Sequence, residues 1–507
     1  KLRIPSTLYA LAVLAALLSV HASFAQEELP PVPEPAENPI TEPKRILGKL
    51  LFWEEQLSSD NTMACGSCHR HQDGSVDPRV GQHPGADGVF GTEDDIFGSP
   101  GIRRQDAAGQ PIFDDIFGFG VQSTPRASIG IVGNQWAPLI FWDGRAGSEF
   151  RDPQTGDVVI AAGGALENQA VTPILSDVEM AHENRTWDEV IAKLAAATPL
   201  ALASDLPPDM EAALVGDPSY ADLFADAFGT SEITAARIGM AIATYERTVV
   251  PDQTPWDLHT MTPAQSRGLI TFLGNVCTTC HASPQFTNNS FRNIGLRDPD
   301  DDGGRFGVTH DPSDRGRFKV PSLRNVGLRD RLMHTGHITD VGDAIQFYRG
   351  IGHMHFTDNQ DPLVLGGVNI PESAVADLRD FVENALTDPR AAAGTFPFDR
   401  PTLFSESVAG VPATSPESLL LACAPNPFRS RTTIRYANQT PGPVEVALYD
   451  ASGALVRRVV SVARTAGEHA IEWDGLTNQG RRAPAGTYFA RVATKEGAAA
   501  IRLIRVD

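Results

Sequence analysis

The chain has 507 residues, enough for about three domains. It carries 63 Asp+Glu against 42 Lys+Arg, a formal net charge of −21, and an acidic surface of that kind repels phosphate backbones and argues against nucleic acid as a partner. The imbalance is uneven: residues 423–507 hold 12 Lys+Arg and 7 Asp+Glu, +5 on balance, which leaves −26 for residues 1–422.

Residues 1–25 read as a secretory signal peptide. Lys1 and Arg3 precede an apolar run over residues 8–20, and Ser23-Phe24-Ala25 offers a small-residue cleavage site. The run is short for a membrane span; an uncleaved anchor is the alternative. The reading places the protein in the periplasm, at the cell surface or outside the cell. Residues 26–39 contain five prolines and read as an extended Pro-rich linker.

Two C-x-x-C-H stretches follow, Cys65-Gly66-Ser67-Cys68-His69 and Cys277-Thr278-Thr279-Cys280-His281. They use four of the five cysteines. The spacing is that of c-type haem attachment, in which two thiols take the vinyl groups and the adjacent imidazole becomes an iron ligand. A four-cysteine zinc site or a pair of disulfides would use the same thiols, but neither gives a role to a histidine that directly follows both pairs. Covalent haem attachment occurs outside the cytoplasm, which agrees with a signal peptide. Cys423 is left over as an incidental thiol.

The gap between the motifs leaves room for one haem domain each, residues 40–230 and 231–388. Ile238, Ile242, Tyr245 and Val249 recur at spacings of 4, 3 and 4 and predict a helix within 233–250. Val375, Leu378, Val382 and Leu386 predict another. The Gly- and Asp-rich stretches 73–120 and 298–317 read as loops. Residues 389–422 form a linker rich in Pro, Ser and Ala. From 423 to 507 the pattern changes to alternation of period two, as in Val444-Glu445-Val446-Ala447-Leu448-Tyr449, broken by turns such as Asp450-Ala451-Ser452-Gly453. The expected fold class is mainly α, two c-type cytochrome domains followed by a small all-β immunoglobulin-like sandwich.

Around the haem motifs, Gly48-Lys49-Leu50-Leu51-Phe52, Phe141-Trp142-Asp143-Gly144-Arg145-Ala146, Tyr245-Glu246-Arg247-Thr248, Phe286-Thr287-Asn288-Asn289 and the block Phe318 to Val326 resemble the bacterial di-haem cytochrome c peroxidases and MauG-like enzymes, in the right order over residues 40–388. Pro425-Asn426-Pro427-Phe428, Trp473-Asp474-Gly475 and Pro484-Ala485-Gly486-Thr487-Tyr488 resemble FlgD-type immunoglobulin-like and sorting modules, which implies surface attachment; a stabilising appendage is the alternative.

The first resemblance implies a division of labour. The N-terminal haem, on Cys65, Cys68 and His69, would be the peroxide site. The C-terminal haem, on Cys277, Cys280 and His281, would receive electrons from a small donor, a cytochrome c or cupredoxin-like protein. Hydrogen peroxide would be reduced to water. The acid/base of the family is a glutamate in a Leu-Glu-x-Gln-Ala context, matched by Leu166-Glu167-Asn168-Gln169-Ala170, with Pro173-Ile174 and Glu179-Met180 following as in relatives. Residues 147–165 look like an insertion, and Glu149 is the rival. Opposite His69 some relatives place a removable histidine and others leave the site open. His71 is too close to His69 to reach that face and His83 is a candidate; both read first as solvated loop histidines beside an open or loosely closed site.

Where peroxidases of the family place a methionine opposite the second histidine, Ala344-Ile345-Gln346-Phe347-Tyr348 carries a tyrosine, as in MauG-like proteins; Met333 and Met354 are alternatives. A hard phenolate favours higher oxidation states of iron than a thioether does. Trp136 and Trp142 are candidates for an electron relay. The family also binds a calcium ion through an Asn-Thr-Pro context, from which Ser123-Thr124-Pro125 departs. A MauG-like oxidase acting on a protein or organic substrate, and a non-catalytic di-haem electron carrier, are the rival readings.

Overall fold

The computed structural model describes residues 27–118, 120–350, 356–408, 422–426, 428–438, 441–450, 455–465, 467–494 and 497–506. The chain divides into two compact units, up to Phe404 and from Ser405 onward. Residues 1–25, read above as a signal peptide, and Met354 lie outside the described residues.

The first unit is built on helices α1 (Glu42–Phe52), α2 (Cys65–Cys68), α3 (Ala165–Val171), α4 (Trp187–Ala196), α5 (Tyr220–Phe228), α6 (Ala235–Thr248), α7 (Pro263–Leu273), α8 (Cys277–Cys280), α9 (Val341–Tyr348) and α10 (Glu372–Asp380). Apolar spacing explains the longer ones. On α6 the residues Ile238, Ile242 and Tyr245 fall on one face and are fully buried. Capping boxes start α4 at Thr186 with Glu189, and α7 at Thr262 with Gln265. Helix α10 passes into a π-helical turn, Phe381–Ala385, and so carries Val382 and Ala385 into the same core as Leu378.

Two cores share this unit. One gathers Leu50, Phe52 and Trp53 from α1 with Phe224 from α5 and Ile238 and Tyr245 from α6. The other gathers Trp256, Phe272, Phe286, Phe347 and Phe381. Each such fully buried large side chain stabilises the fold by roughly 1.5–3 kcal/mol. Helices α1 and α6 touch backbone to backbone: a Cβ at Gly48 would lie 1.9 Å from the Ala241 carbonyl oxygen.

Three details differ from the sequence expectation. A domain boundary at 230 would put α6 in the second haem domain, whereas it packs in the first core against α1. The segment 389–422 is not a linker at its start, because Ala391, Phe398 and Leu403 are buried in the first core. Residues 26–39 are not a free linker over their described part. Trp136 Nε1 donates to the Pro30 carbonyl at 3.1 Å, Arg247 Nε to that of Pro33 at 3.2 Å, and Asn38 Nδ2 to that of Met240 at 2.9 Å. Proline-rich backbone has carbonyls to spare, and these side chains collect them.

Short hairpins decorate the loops: β1 (Gly81–His83) with β2 (Ile96–Gly98), β3 (Pro100–Arg103) with β4 (Val121–Ser123), β5 (Phe150–Arg151) with β6 (Val158–Ile160), and β7 (Phe291–Arg292) with β8 (Phe318–Lys319). The apparent insertion at 147–165 is the β5–β6 hairpin, whose Phe150 and Ile160 pack on Ala236 and Met240 of α6. Helix accounts for 29% of the chain, so the expectation of a mainly α protein is not confirmed. Long loops and short hairpins fill the rest of this unit.

The second unit is a sandwich of two antiparallel sheets. Strands β9 (Ala422–Ala424), β10 (Thr432–Asn438) and β13 (Gly467–Trp473) form one, in the order β13-β10-β9. Strands β11 (Gly442–Asp450), β12 (Leu455–Arg464), β14 (Gly486–Thr494) and β15 (Gly497–Arg505) form the other, in the order β12-β11-β14-β15. Alternation along β14 buries Tyr488, Ala490 and Val492 against Val446, Leu448 and Trp473.

Candidate active site

Both C-x-x-C-H motifs adopt the same local structure. The four residues Cys65–Cys68 and Cys277–Cys280 each make one helical turn, which puts the two cysteines on the same face. The histidine then leaves the helix, its N–H donating back to the first cysteine's carbonyl at 3.0 Å for His69 and 2.7 Å for His281. His69 Nδ1 donates to the Ser75 carbonyl at 3.2 Å, and His281 Nδ1 to the Phe286 carbonyl at 3.1 Å. A carbonyl only accepts, so Nδ1 carries the proton and Nε2 keeps its lone pair. Burial holds both imidazoles neutral, lowering His69 and taking His281 down to about 4. Burial also raises the thiols, Cys65 to about 12 and Cys277 to about 11. These thiol sulfurs stand where thioether sulfurs would be.

Each histidine faces a cavity. The first is lined by Cys68, His69, His83, Gln169 and Glu179. The second is lined by Cys277, Cys280, His281, Met333 and Tyr348. Trp142 lines both. Its indole donates to the Ala127 carbonyl at 2.8 Å and meets the His334 ring edge-on, with centroids 6.0 Å apart. His334 in turn stacks on Phe318 at 3.6 Å. A macrocycle with an imidazole on one face fits both cavities, because paired thiols, an oriented Nε2 and apolar walls are all in place.

Glu167 does not face the first cavity. It is fully buried and receives Arg247 Nη1 at 2.7 Å, Arg247 Nη2 at 2.9 Å and Asn38 Nδ2 at 2.8 Å. Geometry on α3 explains why. Two residues of helix turn the side chain by about 200°, so with Gln169 on the cavity wall, Glu167 points the opposite way, towards α6. Glu149 is at the surface in an ion pair with Arg151. Three carboxylates line the cavity, Glu179, Asp301 and Asp302. Asp302 is taken by Arg126, and Glu179 lies ten residues beyond Gln169. Burial raises its pKa, while Arg145 and the Ser176 hydroxyl pull it down.

The remaining candidates sort as follows. Tyr348 lies in the second cavity with His281, and burial raises its phenol. Trp136 is at the protein surface, bonded to the proline-rich segment. His71 is buried in the first core, its Nε2 2.8 Å from the Tyr245 hydroxyl. His83, unlike His71, does reach the first cavity, where its Nδ1 accepts from the Gly85 N–H at 3.2 Å. Among the described residues no group of three or more His, Cys, Asp or Glu side chains is arranged to hold a metal ion. Ser123, at the position of the family's calcium-site asparagine, has its hydroxyl buried without a hydrogen-bond partner.

Residues 42–264 match the family model for di-haem cytochrome c peroxidase, and residues 430–498 that for the FlgD Ig-like domain. Residues 42–264 thus carry a di-haem cytochrome c peroxidase domain and residues 430–498 a FlgD Ig-like domain. It is 29% identical over 341 residues to the methylamine utilization protein MauG of Methylorubrum extorquens, covering 66% of this chain and 75% of that protein. It is 26% identical over 334 residues to the cytochrome c551 peroxidase of Pseudomonas aeruginosa, covering 62% and 75%. Among solved structures, a MauG-like protein associated with microbial copper homeostasis is 24% identical and superposes with a TM-score of 0.51 over 74% of this chain and 97% of its own. In keeping with relatives named cytochrome c peroxidase, the chain is an oxidoreductase acting on peroxide and carries two covalently bound c-type haems.

Proposed function

We propose that the chain reduces hydrogen peroxide to water at the haem on Cys65, Cys68 and His69, with electrons that enter at the haem on Cys277, Cys280 and His281. The observation that carries this reading is that Glu179 and His69 line one cavity, separated from the second only by a wall that includes Trp142. When bound, the first haem would supply the redox chemistry that breaks the O–O bond.

The protein side chains supply the rest. Glu179 takes the proton from the inner peroxide oxygen and returns it to the departing one, and burial favours its protonated form more than water would. Gln169, as neutral donor and acceptor on the same wall, orients the peroxide. Trp142 carries electrons across from the second cavity. Two electrons and two protons per peroxide give two waters. Tyr348, which lines the same cavity as His281, would offer a phenol oxygen as a ligand to the second haem. The donor is a small cytochrome c or cupredoxin, the compartment is the periplasm or cell surface, and the FlgD Ig-like domain serves attachment there. Among the described residues no helix is long and apolar enough to cross a membrane.

A second reading, a MauG-like oxidase that acts on a protein or organic substrate, is favoured by Tyr348, since a phenolate suits higher iron oxidation states. Stopped-flow mixing of the haem-loaded protein with hydrogen peroxide and reduced cytochrome c separates the two. Rapid donor oxidation over many turnovers supports the peroxidase. A long-lived oxidised spectrum with negligible donor oxidation supports the oxidase.

A further inference from the structure

Four cationic side chains line the second cavity. Arg292 pairs with Asp361, and Arg331 donates to the Gly336 carbonyl and lies over the Phe97 ring. Lys319 and Arg329 are the more enclosed pair, held without an anion. Lys319, on β8, is 2% exposed, and its ammonium meets the Asn289 side-chain oxygen at 2.5 Å. Arg329 donates from Nε to the Gly74 carbonyl at 3.1 Å. Neither lies within ion-pair distance of a carboxylate among the described residues. Other buried or half-buried cations in this unit behave differently: Arg324 pairs with Asp257, Arg126 with Asp143 and Asp302, and Arg292 with Asp361. The fold also makes room for the Arg329 side chain. A Cβ on Gly130 would lie 2.6 Å from its Nη2, and one on Gly74 would lie 2.6 Å from its Cγ.

An uncompensated buried charge costs several kcal/mol, and here burial alone pulls Lys319 down to about 7 and Arg329 down to about 10. Two such groups in one cavity match a ligand that carries two carboxylates into an otherwise apolar space. Haem carries two, its propionates.

We propose that Lys319 and Arg329 are the counter-ions of the two propionates of the haem attached at Cys277 and Cys280, one cation to each carboxylate. The inference rests on that cavity taking the haem. Both cations thereby become fixed positive charges beside the second iron. Reduction adds an electron to that site, so each cation favours the reduced state. Lys319 and Arg329 are positioning residues for the redox level of this haem and have no part in the chemistry at the first.

The test uses the full-length haem-loaded protein and the variants Lys319→Gln, Arg329→Gln and Lys319→Arg. A haem count of two per chain, falling to one in a Cys277→Ser/Cys280→Ser variant, checks the underlying reading by itself. Spectroelectrochemical titration then reads both midpoint potentials. The expected result is that one midpoint shifts to lower potential in Lys319→Gln and in Arg329→Gln while the other stays, and that Lys319→Arg restores it. The propionate bending band in resonance Raman spectra, a readout independent of turnover, moves in the Gln variants and returns in Lys319→Arg. Two haems per chain with neither midpoint moved and an unchanged propionate band would overturn the proposal.

Discussion

Glu167 and Arg247 face each other as a bidentate ion pair, 2.7 and 2.9 Å long, with side chains 0% and 1% exposed. The pair ties α3 to α6, and Asn38 and the Pro33 carbonyl close it from the N-terminal segment. It is a structural use of a glutamate that the local sequence context marks as catalytic.

The two glutamates therefore separate experimentally. Glu179→Gln should leave haem content and melting temperature near wild type and slow peroxide turnover by about 10²–10⁴-fold, the usual worth of a positioned acid/base. Glu167→Gln should leave the Arg247 charge uncompensated in the interior and cost about 3–5 kcal/mol of stability. Stopped-flow rates alongside urea denaturation of both variants distinguish the roles, and the reverse pattern would return the acid/base to Glu167.

Trp142→Phe keeps an aromatic ring in the shared wall but removes the indole. We expect steady-state turnover with an electron donor to fall at least ~10-fold, a barrier increase of roughly 1.4 kcal/mol. The initial spectral reaction of fully reduced protein with one equivalent of peroxide should hardly change. Equal slowing of both phases would mean that Trp142 shapes the first cavity instead of linking the two.

At the second cavity, Tyr348→Met exchanges a hard oxygen for a thioether. The midpoint potential of that haem should rise, because a thioether stabilises the ferrous state. Redox titration checks it; an unmoved potential would show that Tyr348 only packs there and leave Met333 as the candidate ligand.

Glu246 gives a pH signature. It is buried with Oε2 unbonded, and burial raises its pKa to about 8, with Arg247 lowering it and Glu167 raising it. Its unfolded value is 4.5. Between the two, the folded chain holds a proton that the unfolded chain has released, so stability is greatest below 4.5 and falls as pH rises towards 8, by at most about 1.4 kcal/mol per unit. Glu246→Gln should remove that part of the slope. Urea denaturation at several pH values in this window, compared with wild type, provides the test, and parallel profiles would refute it.

Gly48→Ala probes the contact between α1 and α6. With the Ala241 carbonyl 1.9 Å from the new carbon, the helices must separate, at a cost of about 1–3 kcal/mol. A thermal melt reads this directly, and an unchanged midpoint would show that the two helices part without cost.

The haem-binding elements were legible because covalent attachment demands contiguous residues: no fold can bring a C-x-x-C-H together unless the chain already has it. The helix around Ile238, Ile242 and Tyr245 and the alternation of the C-terminal strands were legible for a similar reason, since their periods are local. Glu179 was not singled out because the distinction between it and Glu167 is made at long range. Arg247 lies 80 positions from Glu167 and claims it. The one local clue was helical phase, which places Glu167 and Gln169 on opposite sides of α3. The extent of the domains was misjudged where distant segments fill a core, as Phe398 does beside α1 and α6. Nothing near position 398 announces that partner.

The proline-rich segment at 27–39 closes the argument about assembly. Its backbone receives Trp136 and Arg247, and its Asn38 reaches the Glu167 carboxylate. Trimming beyond Pro33 would take a hydrogen-bond acceptor from a sealed guanidinium, so damage at the tip would register in the heart of the molecule. The segment acts as a fastening whose loss would be felt at the ion pair in the interior.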